Sequence, residues 1–595
     1  MNTSIPRPEH PRPQFFRKNW LNLNGTWTIR LDPGKSGLEQ GWQNSRGFET
    51  EIRVPFCPES ELSGVHHTDF IEAIWYHRSI TVPADWQDSR ILLHFGGVDY
   101  ECEIFIDGVS VGMHTGGTVS FTLDVTRFVQ PGVPAELVLH VTDDTRGGCQ
   151  PLGKQSVRWK SAGCSYTRTT GIWQTVWLEK VSPQGLKKCR IIPDIDRGML
   201  IFIPEFHSLQ SGNALYIQVS SHGEICARTA LPCSSGIPVE LKIPSPVLWE
   251  PGKPHLYDVH YEVRNAGGEM LDSVESYAGL RKCHVEGNRF YLNNQPVFLR
   301  LVLDQGFYPK GIWTAPSDED LKQDIELSMK AGFNGARLHQ KVFEERFHYW
   351  ADRMGYLTWG EFPDWGLAFW DHSFGVDRKV DHYRGFCNHR SEWAAAVDRD
   401  FNHPSIIAWT PFNETAGYWS LAEHRRVIAE TVSLSRQLDP TRPVNDSSGY
   451  IHVDTDLWTV HHYEQDARKL AAALCPADQP VYCVEPQNEL PAYHGQPYIV
   501  DEYGGVRFIP EDRSAFADNS WGYGSDPASR TEALGRIRDQ TNMLVDLQNV
   551  GGYCYTQLTD IEQEQNGIYN YDRTPKFDMD EIHRIFSRKP DWSKY

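Results

Sequence analysis

The sequence has no cysteine pair spaced CxxC, although 12 Cys are scattered from Cys57 to Cys554. That excludes the common zinc and thiol-redox spacings, and the scatter does not suit a disulfide scaffold. No apolar run approaches the roughly 20 residues that a membrane helix needs. Met1 to Trp20 is rich in Pro, Arg and His and lacks the apolar core of a secretory signal. Positive charge is in deficit, with 58 Lys and Arg against 78 Asp and Glu and a net charge of −20. Such a balance argues against nucleic acid or an anionic membrane as partner. There is no internal repeat, no low-complexity segment and no recognisable metal-ligand cluster. Neither metal nor cofactor is therefore expected. These absences lead to the expectation of a cytoplasmic protein with reduced thiols, and they leave homo-oligomerisation open. The sequon Asn413-Glu414-Thr415 agrees, since a glycan there would sit on a residue that the chemistry below requires.

What is present is a globular composition. Of 595 residues, 40% are apolar and 23% charged, enough chain for two to four domains. The 20 Trp and 25 Tyr are many; aromatic faces stack on sugar rings, but most are expected to fill cores. Residues 1–182 read as many short strands: Thr26 to Leu31 alternates, Cys102 to Ile106 runs into an Asp107-Gly108 turn, and Leu137 to Val141 alternates again. That texture predicts a jelly-roll sandwich. In 183–280, Tyr257, Val259, Tyr261 and Val263 share one face before a Gly267-Gly268 turn, which suits an immunoglobulin-like β-sandwich. From 281 to 595, strands alternate with helices. Apolar strands are predicted at 297–303, 335–338, 356–359, 406–411, 443–445, 457–460, 498–500 and 553–557. Helices are predicted at 317–329, 344–354, 420–438, 530–548 and 580–587, the first capped by Ser317 and carrying Leu321, Ile325 and Met329 on one face. Eight strands are what a (β/α)8 TIM barrel requires, so the fold class is multidomain β plus α/β.

Two of those strands end in carboxylates. Ile406 to Phe412 runs into Asn413-Glu414, and Tyr498 to Val500 runs into Asp501-Glu502-Tyr503-Gly504. Barrel enzymes keep their chemistry at the C-terminal ends of the strands. Two carboxylates facing one another there are the equipment for cutting a glycosidic bond, one as acid on the leaving oxygen and one as nucleophile. Asn413 can donate to and accept from a sugar hydroxyl. Any lone Glu at a strand end is more often a solvated loop residue; two such strands with polar companions tip the balance. Asp304 and Gln305 after the first strand, His339 after the second and Glu361 after the third are weaker candidates, as likely structural as substrate-binding. Trp365, Trp370, Tyr555 and Tyr569 are candidate walls of a sugar pocket, with core packing as the default.

The chain resembles glycoside hydrolase family 2, the group of β-galactosidases, β-glucuronidases and β-mannosidases. Leu23-Asn24-Gly25-Thr26-Trp27, Gly112 to Gly117 with Phe121, Asp124 and Thr126, and Thr170-Gly171-Ile172-Trp173 resemble its sugar-binding-like domain. Leu248-Trp249-Glu250-Pro251 with Pro254-His255-Leu256-Tyr257 resembles its immunoglobulin-like domain. Asn402-His403-Pro404-Ser405 through Asn413-Glu414 resembles its acid/base motif. The resemblance implies that Glu414 is the acid/base and Asn413 a ligand of the sugar 2-hydroxyl. It also implies that Glu502 is the nucleophile, oriented by Arg337 and hydrogen-bonded by Tyr463. The acid must carry a proton at neutral pH, which desolvation and the nearby Glu502 charge would favour. The activity implied is retaining, exo-acting hydrolysis of a glycoside or oligosaccharide substrate.

The sequence also departs from the family pattern. Leu303-Asp304-Gln305-Gly306-Phe307 lacks the His-rich or acidic segment of the family's β-galactosidases, and no metal-binding acidic segment is recognisable. Between Asp144 and Glu179 there is no acidic residue, but there are Arg146, Lys154, Arg158, Lys160 and Arg168. A basic loop suits a uronic acid. Yet the Asn-x-Lys motif with which bacterial-type glucuronidases read the sugar carboxylate would precede Gly567-Ile568-Tyr569, and Glu562 to Asn566 contains no lysine. A neutral galactose-configured sugar is therefore the first expectation. An arabinosidase, a galactofuranosidase or a uronidase is the alternative, and a non-catalytic carbohydrate-binding protein is the rival of another class.

Overall fold

The computed structural model describes residues 5–147, 149–363, 382–415, 421–449, 451–477, 479–483 and 491–591. Trp365 and Trp370 lie outside the described residues.

The N-terminal part is a jelly-roll sandwich of antiparallel sheets. One has six strands, in spatial order 50–54, 25–31, 73–81, 134–142, 101–106 and 109–115; the other has four, 20–22, 176–181, 90–95 and 121–124. Alternation works as predicted: Trp27 and Ile29, then Leu137, Leu139 and Val141, point into one core with Tyr76, Leu93 and Ile104. The next part is a seven-stranded immunoglobulin-like sandwich with sheets of three and four strands. Tyr257, Val259, Tyr261 and Val263 lie in its core. A small three-stranded sheet, 283–296, follows, and its Cys283, Phe290 and Leu292 pack against the barrel's inward side chains.

Among the described residues, the barrel has seven hydrogen-bonded parallel strands: Leu299–Asp304, Gly335–Leu338, Leu357–Glu361, Ile406–Thr410, Trp458–His461, Tyr498–Gly504 and Val550–Thr556. These are barrel strands one to four and six to eight. Position five is filled by irregular backbone at 443–448, which bridges strand four through Trp409–Val444 and Asn413–Ser448. Side chains alternate across the wall. Leu299, Leu301, Leu303, Trp359, Ile499 and Cys554 fill the interior. Val302, Ala336, Leu338, Tyr498, Val500, Tyr503 and Tyr555 face the helical layer. The pleat thus decides which polar residues reach the mouth.

Helices Asp318–Ala331, Glu345–Met354, Leu421–Leu438, Arg530–Asp546 and Met579–Phe586 match the predicted ones within a few residues. The sequence reading missed His382–Asp400 and Ala467–Leu474. Among the described residues, no helix is long and apolar enough to cross a membrane.

The first half of the Asn402-to-Glu414 motif is a joint between domains. Asn402 Oδ1 accepts from Ile191 N and its Nδ2 donates to Cys189 O, both at 2.8 Å and both in the immunoglobulin-like sandwich. His403 Nδ1 lies 2.6 Å from Asp352, which also accepts from the Tyr277 hydroxyl at 2.8 Å and the Ser405 amide at 2.9 Å. The chemistry sits at the other end of the same strand. The Thr170-to-Trp173 motif is likewise structural. Trp173 donates to Gly117 O at 2.7 Å and packs edge-on against Trp313 of the barrel.

Candidate active site

Arg337 lies inside the barrel on strand two, fully buried. Its guanidinium donates to four partners: Glu361 at 2.5 Å, Asn413 Oδ1 at 2.5 Å, Glu502 Oε1 at 2.9 Å and the Asp501 carbonyl at 3.1 Å. It also contacts His339 Nδ1 at 3.0 Å. A planar fork with five donors can serve so many acceptors at once, and a lysine cannot. One side chain therefore ties together the ends of strands two, three, four and seven.

Glu502 lies at a bulge in strand seven, between Val500 and Tyr503, which turns both Asp501 and Glu502 inward. Its second oxygen accepts from the Tyr463 hydroxyl at 2.5 Å. Burial pushes its carboxyl toward the neutral form, but the positive charges of His461 and Arg337 prevail and hold it below the usual range. Glu502 is thus kept ionised. Burial and the Glu502 charge keep the Tyr463 phenol protonated, so it serves as donor. Its ring stacks on Tyr523 at 3.4 Å, fixing its direction.

Glu414 follows strand four with φ of 50°, a left-handed conformation that costs a residue with a Cβ. Its amide donates to Ser448 O at 2.8 Å. The irregular fifth position of the barrel therefore aims this side chain.

Between the two carboxylates stands His461, at the end of strand six. Its Nδ1 is 2.7 Å from Glu414 Oε1, and its Nε2 is 2.9 Å from Ser448 Oγ and 3.4 Å from both Asp501 Oδ1 and Glu502 Oε1. Burial disfavours its charge, but Glu502, Asp501 and the hydrogen bonds to Asp501 and Glu414 outweigh that and push it up to about 10. Sequence reasoning missed this histidine as a functional group, although it stands at a strand end like the two carboxylates. One atom each of Glu414, His461 and Glu502 lie within 4.8 Å of one another, a donor set of a kind that can hold a metal ion. The three are also linked to one another through His461, at 2.7 Å to Glu414 and 3.4 Å to Glu502.

Glu361 and His339 belong to this cluster, 2.8 Å apart. Burial pushes Glu361 up, and Arg337 offsets it only in part. Burial, with Lys154 and Arg337 nearby, holds His339 neutral. Both contact the Arg337 guanidinium, Glu361 at 2.5 Å and His339 at 3.0 Å.

Three expectations are corrected. Asp304 points outward by the pleat of strand one; it accepts from Gly306 N at 2.9 Å, and burial with the facing Asp324 pushes it up to about 7. Its neighbour Gln305 points inward instead and donates to Gln557 Oε1 at 2.6 Å. Tyr555 packs against Phe586 of the last helix, in the outer layer. Tyr569 belongs to the same outer-layer cluster and donates to Leu327 O at 2.9 Å. Neither lines a sugar pocket.

The first domain completes the mouth. The backbone from Cys149 to Thr169 lies across the barrel: Gln563 donates to Gly163 O at 2.7 Å and to Ser165 O at 3.0 Å, and Trp521 donates to Gly163 O at 2.7 Å. Tyr166 donates to Glu564 and accepts from Gln305 at 3.0 Å.

Family models match in three stretches. These are "Glycosyl hydrolases family 2, sugar binding domain" on residues 20–178, "Glycosyl hydrolases family 2" on 210–281 and "Glycosyl hydrolases family 2, TIM barrel domain" on 283–509. Among curated relatives, a β-glucuronidase of Paenibacillus borealis is 25% identical over 448 residues, covering 71% of this chain and 72% of its own. A β-glucuronidase of Felis catus is 24% identical over 487 residues, covering 73% and 69%. A β-galactosidase of Thermoanaerobacter pseudethanolicus is 23% identical over 474 residues, covering 77% and 58%. The structure of Ruminococcus gnavus β-glucuronidase with uronic isofagomine superposes with a TM-score of 0.81 at 17% identity, over 99% of this chain and 100% of that one. At that identity the likeness is one of fold.

Proposed function

The chain belongs to glycoside hydrolase family 2, and from that premise we propose that it is a retaining exo-glycosidase that removes a terminal uronic acid. The observation that carries the mechanism is the spacing of Glu414 and Glu502, which have an oxygen each within 4.8 Å of the other. Retaining enzymes hold their carboxyl groups about 5–5.5 Å apart, too close for the water that an inverting enzyme places between them. Glu502 attacks the anomeric carbon while Glu414 passes a proton to the leaving oxygen. Glu414 then takes a proton from water, which displaces Glu502 from the sugar. That proton returns Glu414 to its acid form for the next turnover.

The sugar assignment replaces the neutral galactose expected from sequence. Two of the three relatives named above are β-glucuronidases, and the β-galactosidase is covered over only 58% of its length. The loop that closes the mouth carries cations and no carboxylate between Asp144 and Glu179. The test is a panel of 4-nitrophenyl β-D-glucuronide, β-D-galacturonide, β-D-galactoside, β-D-galactofuranoside and α-L-arabinopyranoside, with product configuration read by proton NMR. Fastest turnover of a uronide with retention is expected. Faster turnover of a neutral sugar would restore the galactose or arabinose reading. Tight sugar binding without turnover would point to a non-catalytic carbohydrate-binding protein.

A further inference from the structure

A cleft of about 510 Å³ opens between residues 159–168 of the first domain and residues 516–519 of the barrel, with Glu562 also in its lining. Small-molecule sites commonly span about 300–1,000 Å³. Trp159 contributes to one wall and is 65% exposed; Phe516 contributes to the other and is 55% exposed. Rings left this far in water forfeit burial free energy that a ligand covering them would recover. The charged lining is balanced, Asp518 and Glu562 standing with Lys160 and Arg168. Glu562 is held at φ of 47°, a left-handed conformation that costs a residue with a Cβ, and its carboxylate accepts from Thr167 N at 3.2 Å. Arg168 is 3% exposed, and its terminal nitrogens donate to the carbonyls of Ser156, Arg158 and Thr68. Its buried Nε has no partner among the described residues, and an unpaired buried donor costs free energy until an acceptor meets it.

The cleft adjoins the barrel mouth. Beside it, Trp521 donates to Gly163 O at 2.7 Å and Asn519 Nδ2 to Ser161 O at 3.5 Å. Trp521 packs edge-on against Tyr523 at 5.2 Å, Tyr523 stacks on Tyr463, and Tyr463 donates to Glu502. A single layer of rings thus links the cleft to the nucleophile. Glu562 stands two residues before Glu564, which accepts from Tyr166 of the first domain. A second cleft, of about 560 Å³, differs in both respects. Cys283, Pro440 and Gln496 line it at the opposite end of the strands, and its lining contains no Trp, Tyr or Phe. The aromatic walls belong to the cleft at the catalytic end.

We propose that this cleft is a leaving-group subsite, in which Trp159 and Phe516 stack on a neutral pyranose of an oligosaccharide beyond the bond that is cut. This rests on the glycosidase reading above and not on which terminal sugar is removed. The test takes the terminal sugar that the nitrophenyl panel selects. Its 4-nitrophenyl glycoside, which reaches no further than the mouth, is compared with the trisaccharides in which it is β-linked to cellobiose at each available hydroxyl. Binding energy from remote parts of a substrate is realised only when those parts are present. Trp159→Ala and Phe516→Ala should therefore each lose about 10-fold in kcat/KM on the trisaccharide cleaved fastest. On the nitrophenyl glycoside each should change by less than about 2-fold, as expected of an exposed residue, and that rate also reports that the variant is folded. Absence of turnover on every nitrophenyl glycoside would sink the glycosidase reading itself. Turnover there with no trisaccharide cleaved, or with trisaccharide rates unchanged in both variants, would overturn the subsite alone. Equal loss on both kinds of substrate would make the two rings supports of the mouth and overturn it as well. Cellobiose binding, read by protection of the unaltered enzyme from thermal unfolding, repeats the comparison without turnover. Protection should vanish in Trp159→Ala, and its survival would count against the assignment.

Discussion

At the scale of single residues, the site is a balance of buried charge. Glu361, Asp501 and Glu502 face Arg337 and a protonated His461, and neither cation could be removed without leaving a carboxylate unpaired in low dielectric. Glu414→Ala should slow substrates with poor leaving groups by orders of magnitude and activated nitrophenyl substrates far less, since only the former need the proton. Equal slowing on the two classes would remove Glu414 from the acid role. The histidine makes a separate prediction. Its proton is held more tightly in the folded protein, about 10 against an ordinary 6.5, so the stability it confers is complete below pH 6.5 and lost as pH rises toward 10. Thermal unfolding of the unaltered protein and His461→Asn should therefore differ most near pH 6.5 and converge toward pH 10. A gap independent of pH would show that the ring is neutral in the fold. The two carboxylates and Arg337 were legible because each ends or lines a strand within a recognisable motif. His461 carried the same positional signal, at the end of strand six, yet it was not among the expected site residues. Asp304 misled because the residue after an apolar strand can face either side, and only the pleat of the folded sheet decides which.

At the scale of elements, the C-terminal end of each strand is where fold becomes chemistry. Strand seven ends at Gly504, with φ of +83° and the Tyr555 ring so near that a Cβ would fall 2.3 Å from it. Its carbonyl accepts from Gln465 at 2.8 Å. Gly504→Ala should push the strand end away from Tyr555 and displace Glu502 two residues upstream. Small misplacements of a nucleophile cost on the order of 100-fold, so kcat should fall by at least about 10-fold with the far-ultraviolet circular dichroism unchanged. An alanine variant with full activity would show that the strand end absorbs the change. Helices with a regular apolar stripe were readable in advance. Asp318–Ala331 is one; Ser317 caps it by accepting from Asp320 N at 3.3 Å, and Leu321 and Ile325 are buried. His382–Asp400 was not, because Gly385, Asn388 and His389 interrupt a weakly helical sequence. There Phe386, Trp393 and Val397 are buried by packing, which overrides propensity.

At the scale of the whole molecule, the domains are joined by buried polar contacts as well as by apolar surface. Arg17 donates to Asp272 at 2.9 Å, to Glu179 at 3.0 Å and to Leu186 O, so one side chain links the first sandwich to the second. Burial would raise Glu179, but Arg17 and His94 hold it at about 2. Arg17→Met leaves two buried carboxylates without their cation and should destabilise by about 3–5 kcal/mol. Calorimetry should show this as a lower unfolding temperature, with activity at 25 °C retained because Arg17 lies outside the barrel mouth. An unchanged unfolding temperature would mean that the joint carries no net stability.

The sequence by itself determined the three-part architecture, the barrel and the two carboxylates, because periodicity and strand-end motifs are local and survive in one dimension. What tertiary structure decided is whatever depends on side chains meeting across hundreds of residues. It set His461 between Glu414 and Glu502, turned Asp304 and Tyr555 out of the site, and made His403 a joint to the second sandwich. It also brought Tyr166 of the first domain onto Glu564 and Gln305 of the third. Burial and charge there are properties of an assembled cavity, and no stretch of chain contains them alone.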